Sequence, residues 1–184
     1  MSTFTKAEKD KLIETFENHF NYLEYGLGES TVLASNSKSI KSICCLETLQ
    51  PWINYYNPKL NKKNKLIKID YIDIESDEKR YGHPKNTNKK YNWPLYQSYS
   101  KNKNFDLCFI DARFRVSSFL NCYINAPIDC CLMIHDYKRS YYNDIEKAVE
   151  KHEQIDTLAF FYKKQIKNHS RIWQIIEKYT NDPR

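Results

Sequence analysis

Apolar residues in this chain gather into short, nearly continuous runs, separated by stretches in which they recur at helical spacing. "NYLEY" (21–25), "SIKSICCLE" (39–47), "KLIKIDYIDIE" (65–75), "FDLCFID" (105–111), "DCCLMIHDY" (129–137) and "TLAFFYKK" (157–164) are the runs. Their length and their wealth of Ile, Leu, Phe and Cys read as buried strands. The segments between them read as helices. "TKAEKDKLIETFENHF" (5–20) sets Leu12, Ile13, Phe16 and Phe20 on one face of an amphipathic helix. A short helix is predicted from about Ser30 to Asn36, and "TLQPWINYYN" (48–57) predicts another, with Pro51 in its first turns. "RFRVSSFLNCYI" (113–124), "YYNDIEKAVEKH" (141–152) and "IWQIIEKY" (172–179) complete the helical set.

Strands with no polar face, alternating with helices, predict a doubly wound α/β domain: a mostly parallel sheet with helices on both faces. The length suits one domain over 1–184, with an N-terminal helix in 1–19 and a C-terminal helix in 165–184. Residues 75–104 break the alternation. They are polar, contain Pro84 and Pro94, and predict an irregular loop or lid with one helical turn around Leu95–Ser98. Tyr81, His83, Trp93, Tyr96 and Tyr99 lie in it, where rings either stack on a ligand or pin the loop to the core. Sheets of this class bind ligands at the C-terminal edge, where strand order reverses. That rule singles out the polar residues ending the strands: Glu24, Glu47, Asp73, Asp111, His135 and Asp136.

Composition modifies this picture only slightly. Hydrophobic residues at 41% and charged residues at 28% suit a soluble globular chain. A net charge of +6 admits nucleic acid or another anionic partner, but the lysines are spread over 59–68, 85–90 and 163–167, as solvated loops would have them. The six cysteines are Cys44-Cys45, Cys108, Cys122 and Cys130-Cys131, mostly inside apolar runs. Neighbours on a strand point to opposite faces, so neither adjacent pair suits a disulfide or a shared metal. The N-terminus lacks the apolar core of a signal peptide, and no apolar run is long enough to span a membrane. The expectation is a cytoplasmic protein in a reducing compartment with no membrane partner. A second copy of the chain stays open as a partner.

"NYLEYGLGEST" (21–31) holds two of the three glycines. Gly26 and Gly28 let the backbone approach a ligand closely, and Ser30 and Thr31 open a helix whose N–H groups point at it. Glu24, at the end of the strand, would repel a pyrophosphate but suits a cationic amino-acid portion. Glu47 lies 19 residues after Gly28, where a carboxylate can take two ribose hydroxyls. Asp73 closes the third strand. A dinucleotide pattern wants a third glycine where this chain has Thr31, which disfavours a nicotinamide cofactor. Glu29 adds a carboxylate to the turn. His135 is a candidate base because an unperturbed imidazole titrates near neutrality, and Asp136 equally orients it as a structural group. Arg113 and Arg115 either clamp an acceptor or pair with Asp111 and Asp136.

The acid-x-Gly-x-Gly turn, with an acid closing the second strand, resembles the class I S-adenosylmethionine-dependent methyltransferases. "IDARFRV" (110–116) and "IHDYKR" (134–139) resemble the paired signatures of a small methyltransferase-like family, and "YGHP" (81–84) resembles its loop after the third strand. The likeness runs from about residue 20 to 164. It implies S-adenosylmethionine as cofactor, with Glu24, Gly26, Gly28, Ser30, Thr31, Glu47 and Asp73 around it. It also implies an O-methyltransferase for a small polyhydroxyl acceptor, a sugar or glycan terminus. His135, Asp111 and Asp136 would be the catalytic residues, and Arg113, Arg115, Tyr137 and Arg139 would face the acceptor. Methyltransferases resembling the catechol type hold Mg²⁺ or another divalent cation with carboxylates placed like Asp111 and Asp136. They supply a further oxygen ligand, usually from Asn, where this chain has Tyr137. An RNA or nucleotide methyltransferase and a non-catalytic binding module of the same fold are the alternatives.

Overall fold

The computed structural model describes residues 4–184, so the first three residues of the expected N-terminal segment lie outside the described residues. Chain order is α1 (Lys6–Glu17), β1 (Asn21–Tyr25), α2 (Glu29–Asn36), β2 (Ser42–Glu47), α3 (Gln50–Tyr56), β3 (Leu66–Tyr71), β4 (Ser76–Asp77), β5 (His83–Pro84) and α4 (Trp93–Gln97). Then follow β6 (Leu107–Ile110), α5 (Arg115–Asn125), β7 (Cys131–Ile134), α6 (Asn143–Glu146), β8 (Glu153–Ile155), β9 (Leu158–Tyr162) and α7 (His169–Tyr179). Seven strands form one sheet in the order β3-β2-β1-β6-β7-β9-β8. The first five run parallel, and β9 joins β7 antiparallel with β8 outside it. The fold class expected from the apolar pattern is the one found.

Alternation along each strand feeds two cores. Leu23, Tyr25, Cys108, Ile110, Leu132, Ile134 and Phe161 pack with α5 and α7 on one face. Tyr22, Ile43, Cys45, Phe109, Met133 and Phe160 pack with α1 and α2 on the other. The adjacent cysteines divide accordingly: Cys44 and Cys130 lie on the first face, Cys45 and Cys131 on the second, and all six thiols are free. Among the described residues no helix is long and apolar enough to cross a membrane.

Two expectations are corrected. In α1, Leu12 and Phe16 are buried, but Ile13 is 43% and Phe20 56% exposed. Glu8 and Thr15 take their places on the inner face, because Glu8 accepts hydrogen bonds from Thr5 N, Thr157 N and Thr157 Oγ1 at 2.6–2.9 Å. The helix expected over 141–152 is only the short α6 after a single 3₁₀ turn. Sheet pairing overrides its helical spacing, with His152 N donating to Phe160 O and β8 continuing the ladder.

The excursion at 75–104 is folded onto the body. Trp93, Tyr96 and Tyr99 are buried in the first core, and Asn92 Nδ2 donates to Asp73 O at 2.7 Å. Among its aromatic side chains, Tyr81 and His83 are the ones that reach the large cavity described next.

Candidate active site

Strand order reverses between β1 and β6. There the segments following β1, β2, β6 and β7, with the Tyr81–His83 loop, enclose a cavity of about 720 Å³. This is the size of a site for a small organic ligand.

The wall after β1 is the glycine turn. Gly26 has φ +101°, and a Cβ added to it would stand 2.9 Å from Asp111 O and 3.0 Å from Ala112 Cβ. That glycine is required by its neighbours in the protein. Gly28 differs: its backbone is extended, a Cβ would meet nothing within 4 Å, and it lines the cavity. It therefore keeps space clear on the cavity side. Glu24 does not line the cavity. It lies beneath α2, accepting from Ser30 Oγ and, at 2.6 Å, from Thr31 Oγ1, which itself accepts from Gly28 N at 3.0 Å. Burial raises the Glu24 pKa to about 8 against the pull of those two hydroxyls. Glu24 thus shapes the turn through a relay. Glu29, at the start of α2, pairs with Lys9 at 2.6 Å.

Glu47 lines the cavity with a carboxylate oriented by the backbone. Oε1 accepts from Thr48 N at 2.6 Å and Leu49 N at 2.9 Å, and Oε2 accepts from Leu27 N at 2.9 Å. Thr48 Oγ1 also lies 3.4 Å from Oε1. Each carboxylate oxygen has about two acceptor positions, so room for one ligand hydroxyl remains on Oε2, which has Leu27 N as its donor. Burial pushes its pKa up despite those bonds. Leu49, Trp52 and Tyr56 continue this wall, with Trp52 and Tyr56 stacked at 5.3 Å between centroids. The sequence drew no attention to these rings, although their place directly after a strand-ending acid was the available signal. Asp73 is not part of the wall: it accepts from Glu75 N and faces Lys89. Ser30 lines the cavity, whereas Thr31 is buried beneath it.

Beyond β6 the chain reads Asp111-Ala112-Arg113-Phe114-Arg115. Phe114 adopts a left-handed conformation, φ 53°, at the start of α5 and is held by Trp93 and Tyr96. Such a backbone costs a bulky residue about 1–2 kcal/mol, and here it sends the flanking arginines to different partners. Arg115 is buried between two carboxylates, Nη2 donating to Asp111 Oδ1 and Nη1 to Asp136 Oδ2, both at 3.0 Å. Its remaining donors reach His135 O and Ala112 O. The Arg115 pKa stands above its usual value because Asp111 and Asp136 outweigh the cost of burial. Arg113 takes the other direction and donates from Nη1 to His83 Nε2 at 2.5 Å.

His135, at the end of β7, faces carboxylates with both ring nitrogens: Asp111 Oδ2 at 3.2 Å from Nδ1 and Glu8 Oε2 at 3.7 Å from Nε2. Burial opposes the charged ring, but Asp111, Asp136 and Glu8 together raise its pKa. Glu8 had no place in the sequence reading, because nothing local connects an N-terminal helix with the end of β7. Asp136 has φ 58°, which an Asp side chain tolerates, and also accepts from Arg139 Nη2 at 3.0 Å. Arg139 and Tyr141 line the cavity. Tyr137 turns away, stacks on Tyr142 and donates to Tyr142 O.

Asp111, His135 and Asp136 could present ligand atoms within 4.8 Å of one another. The donor set nevertheless does not fit a divalent cation, because the Arg115 guanidinium already supplies the positive charge both carboxylates share.

Similar architectures exist among solved structures. A methyltransferase-like protein from Silicibacter pomeroyi aligns with a TM-score of 0.86 at 23% identity, over 100% of this chain and 98% of that one. The chain carries the class I methyltransferase fold. The N-methyltransferase NodS of Bradyrhizobium japonicum, in complex with S-adenosylhomocysteine, aligns at TM-score 0.57 and 11% identity over 89% of this chain and 90% of its own. An O-methyltransferase of Bacillus cereus in complex with the same ligand aligns at 0.53 and 13%, over 96% and 68%. No family model matches the sequence, and no curated protein does.

Proposed function

We propose that the protein transfers a methyl group from S-adenosylmethionine to an oxygen of a small polyhydroxyl acceptor, a sugar or glycan terminus. The observation that carries this reading is one cavity at the strand-order reversal shared by Gly28, Glu47, Asp111 and His135. The space Gly28 keeps open, and the one acceptor position left on Glu47, fit a nucleoside with a ribose hydroxyl. Trp52, at the rim, offers a flat face for the base. When bound, with Gly28 and Glu47 holding its nucleoside, the cofactor would supply an electrophilic sulfonium methyl and a neutral thioether leaving group for the acceptor oxygen.

The residues around Asp111 would handle the acceptor proton. Its Oδ1 is fixed by Arg115 and its Oδ2 by His135, and it lines the cavity. An acceptor hydroxyl within hydrogen-bond reach passes its proton to this carboxylate as the new C–O bond forms. His135, between two carboxylates and with its pKa raised, serves by holding Asp111 rather than by taking that proton.

Calorimetry with S-adenosylmethionine and S-adenosylhomocysteine tests the cofactor, and failure of both to bind at millimolar concentration overturns the reading. Transfer of labelled methyl to a sugar panel tests the acceptor. Asp111→Asn is expected to lower turnover by about 10²-fold or more while leaving S-adenosylhomocysteine affinity unchanged. Binding without transfer to any acceptor favours the non-catalytic module.

A further inference from the structure

The cavity wall beside the β4–β5 loop is rich in guanidinium groups: Arg113 and Arg115 after β6, Arg139 after β7 and Arg184 at the C-terminal end line it. Asp111 and Asp136 answer Arg115, Asp136 also answers Arg139, and Asp182 answers Arg184 through a bond from Nε at 2.8 Å. Arg113 is left over. It is 7% exposed, lines the cavity, and has no carboxylate within ion-pair distance among the described residues. Its one side-chain bond is to neutral acceptor nitrogen on His83, and its buried Nε has no partner. A buried guanidinium normally requires a counter-charge.

Its surroundings select against a protein carboxylate filling that role. The cavity acids nearer β1 and β2 are engaged, Glu29 by Lys9 and Glu47 by three backbone N–H groups. Burial, with the like-charged field of Arg115 and Arg139, lowers the Arg113 pKa against the opposing pull of Tyr96 and of Asp111, whose carboxylate is already bound by Arg115 and His135. The same field, added to burial, lowers that of His83, so the ring is held neutral and able to accept. Arg139 donates to Tyr141 Oη at 3.0 Å, and the Arg184 guanidinium lies 5.0 Å from that ring's centroid. Tyr141 thus holds two further cations at the same wall, one of them only partly neutralised because Asp136 is shared.

We propose that this wall is an anion subsite, and that the methyl acceptor carries a carboxylate or phosphate group which Arg113 binds. Arg139 and Arg184 form its outer rim. This deepens the transferase reading and rests on it: the acceptor is an acidic or phosphorylated polyol rather than a neutral one. A planar guanidinium suits either oxyanion, and the fork geometry fixes the orientation of the group it holds.

The test uses the full chain saturated with S-adenosylhomocysteine. Absence of that complex would count against the transferase reading alone. On the complex, calorimetry or NMR titration with glucuronate and with inorganic phosphate is compared with glucose. Both anions are expected to bind at least about tenfold more tightly than glucose, the discrimination one charge-assisted pair provides. Arg113→Gln is expected to remove that preference and Arg139→Gln to weaken it several-fold, with S-adenosylhomocysteine affinity unchanged in both. Arg139 is partly exposed, so its variant remains informative if Arg113→Gln does not fold. A complex that binds neither anion more tightly than glucose, or an Arg139→Gln protein with unaltered anion affinity, overturns the proposal. Preference for phosphate over glucuronate, or the reverse, then tells which oxyanion the acceptor bears.

Discussion

Replacing Gly26 and Gly28 separately by alanine divides what the turn does for the fold from what it does for a ligand. At Gly26 the new methyl meets Asp111 O at 2.9 Å and Ala112 Cβ at 3.0 Å, and the residue must keep φ +101°. The backbone conformation costs about 1–2 kcal/mol in an L-residue. The contact adds to it, because the obstacle is main chain and cannot rotate away. Gly26 N donates to Leu46 O at 2.9 Å and Asp111 N donates to Tyr25 O at 3.0 Å, so relief requires parting the ends of β1, β2 and β6. The total is about 2–4 kcal/mol, a large share of the stability of a domain this size. At Gly28 the methyl meets no protein atom within 4 Å on an extended backbone, and the cost is about 1 kcal/mol or less, from a poorer helix cap. Urea denaturation with S-adenosylhomocysteine calorimetry reads both. Gly26→Ala should lower the midpoint strongly; Gly28→Ala should keep the midpoint and weaken the ligand tenfold or more. If Gly28→Ala binds S-adenosylhomocysteine as the parent does, the turn does not face the cofactor and the reasoning fails.

Three further outcomes are expected. Glu47→Gln places an amide N–H₂ against at least one of three backbone N–H donors, so urea stability should fall by about 1–3 kcal/mol along with ligand affinity; an unchanged midpoint would show that those donors do not depend on the carboxylate. Glu24 has a folded pKa of about 8 against 4.5 in a model peptide, so its protonated form is favoured by folding. The stability it contributes is complete below about pH 4.5 and is lost as pH rises through 8, and Glu24→Gln should flatten that part of a denaturation-versus-pH curve. Asp144 accepts from Lys147 Nζ, from Lys178 Nζ at 2.6 Å and from Tyr179 Oη at 2.8 Å, bonds that hold its pKa below the usual carboxylate range. Its contribution is therefore present above about pH 4 and lost on acidification, and Asp144→Asn should cost about 1–2 kcal/mol at pH 7, with increased hydrogen exchange in α7 as the signature.

The fold was legible because its signal is local and repeated. Runs such as "DLCFI" and "CLMI" cannot present a polar face to water, so they specify strands buried on both sides wherever they occur. The same locality explains what was missed. The helical spacing of Tyr142, Ile145 and Val149 is real, and all three are buried, but turn-type bonds end at Val149 and the backbone from His152 is claimed by the β8–β9 hairpin at the sheet edge. The strand ends were readable as a set, since the topology alone carries them to one edge. Which of them face the cavity was not. Glu24 and Glu47 are both strand-ending acids; one is sealed under α2 by Ser30 and Thr31, and the other is turned to the cavity by the N–H groups of Leu27, Thr48 and Leu49. That difference depends on side-chain partners, about which spacing says nothing.

The two arginines of "IDARFRV" show how one backbone feature decides chemistry. In a regular helix start, residues 113 and 115 would still leave the strand end close together and compete for Asp111. Here Phe114 between them is left-handed, its ring belongs to a cluster with Trp93 and Tyr96 from the excursion at 75–104, and the two arginines have different partners. Arg115 can then bridge Asp111 and Asp136 in the place a divalent cation would take, fixing both carboxylates without an ion to be gained or lost. Arg113, freed from Asp111, is carried to His83 on the loop of the same excursion. The segment that looked like an interruption of the α/β pattern is thus what holds apart a carboxylate pair neutralised by Arg115 and a buried cation with no carboxylate partner among the described residues.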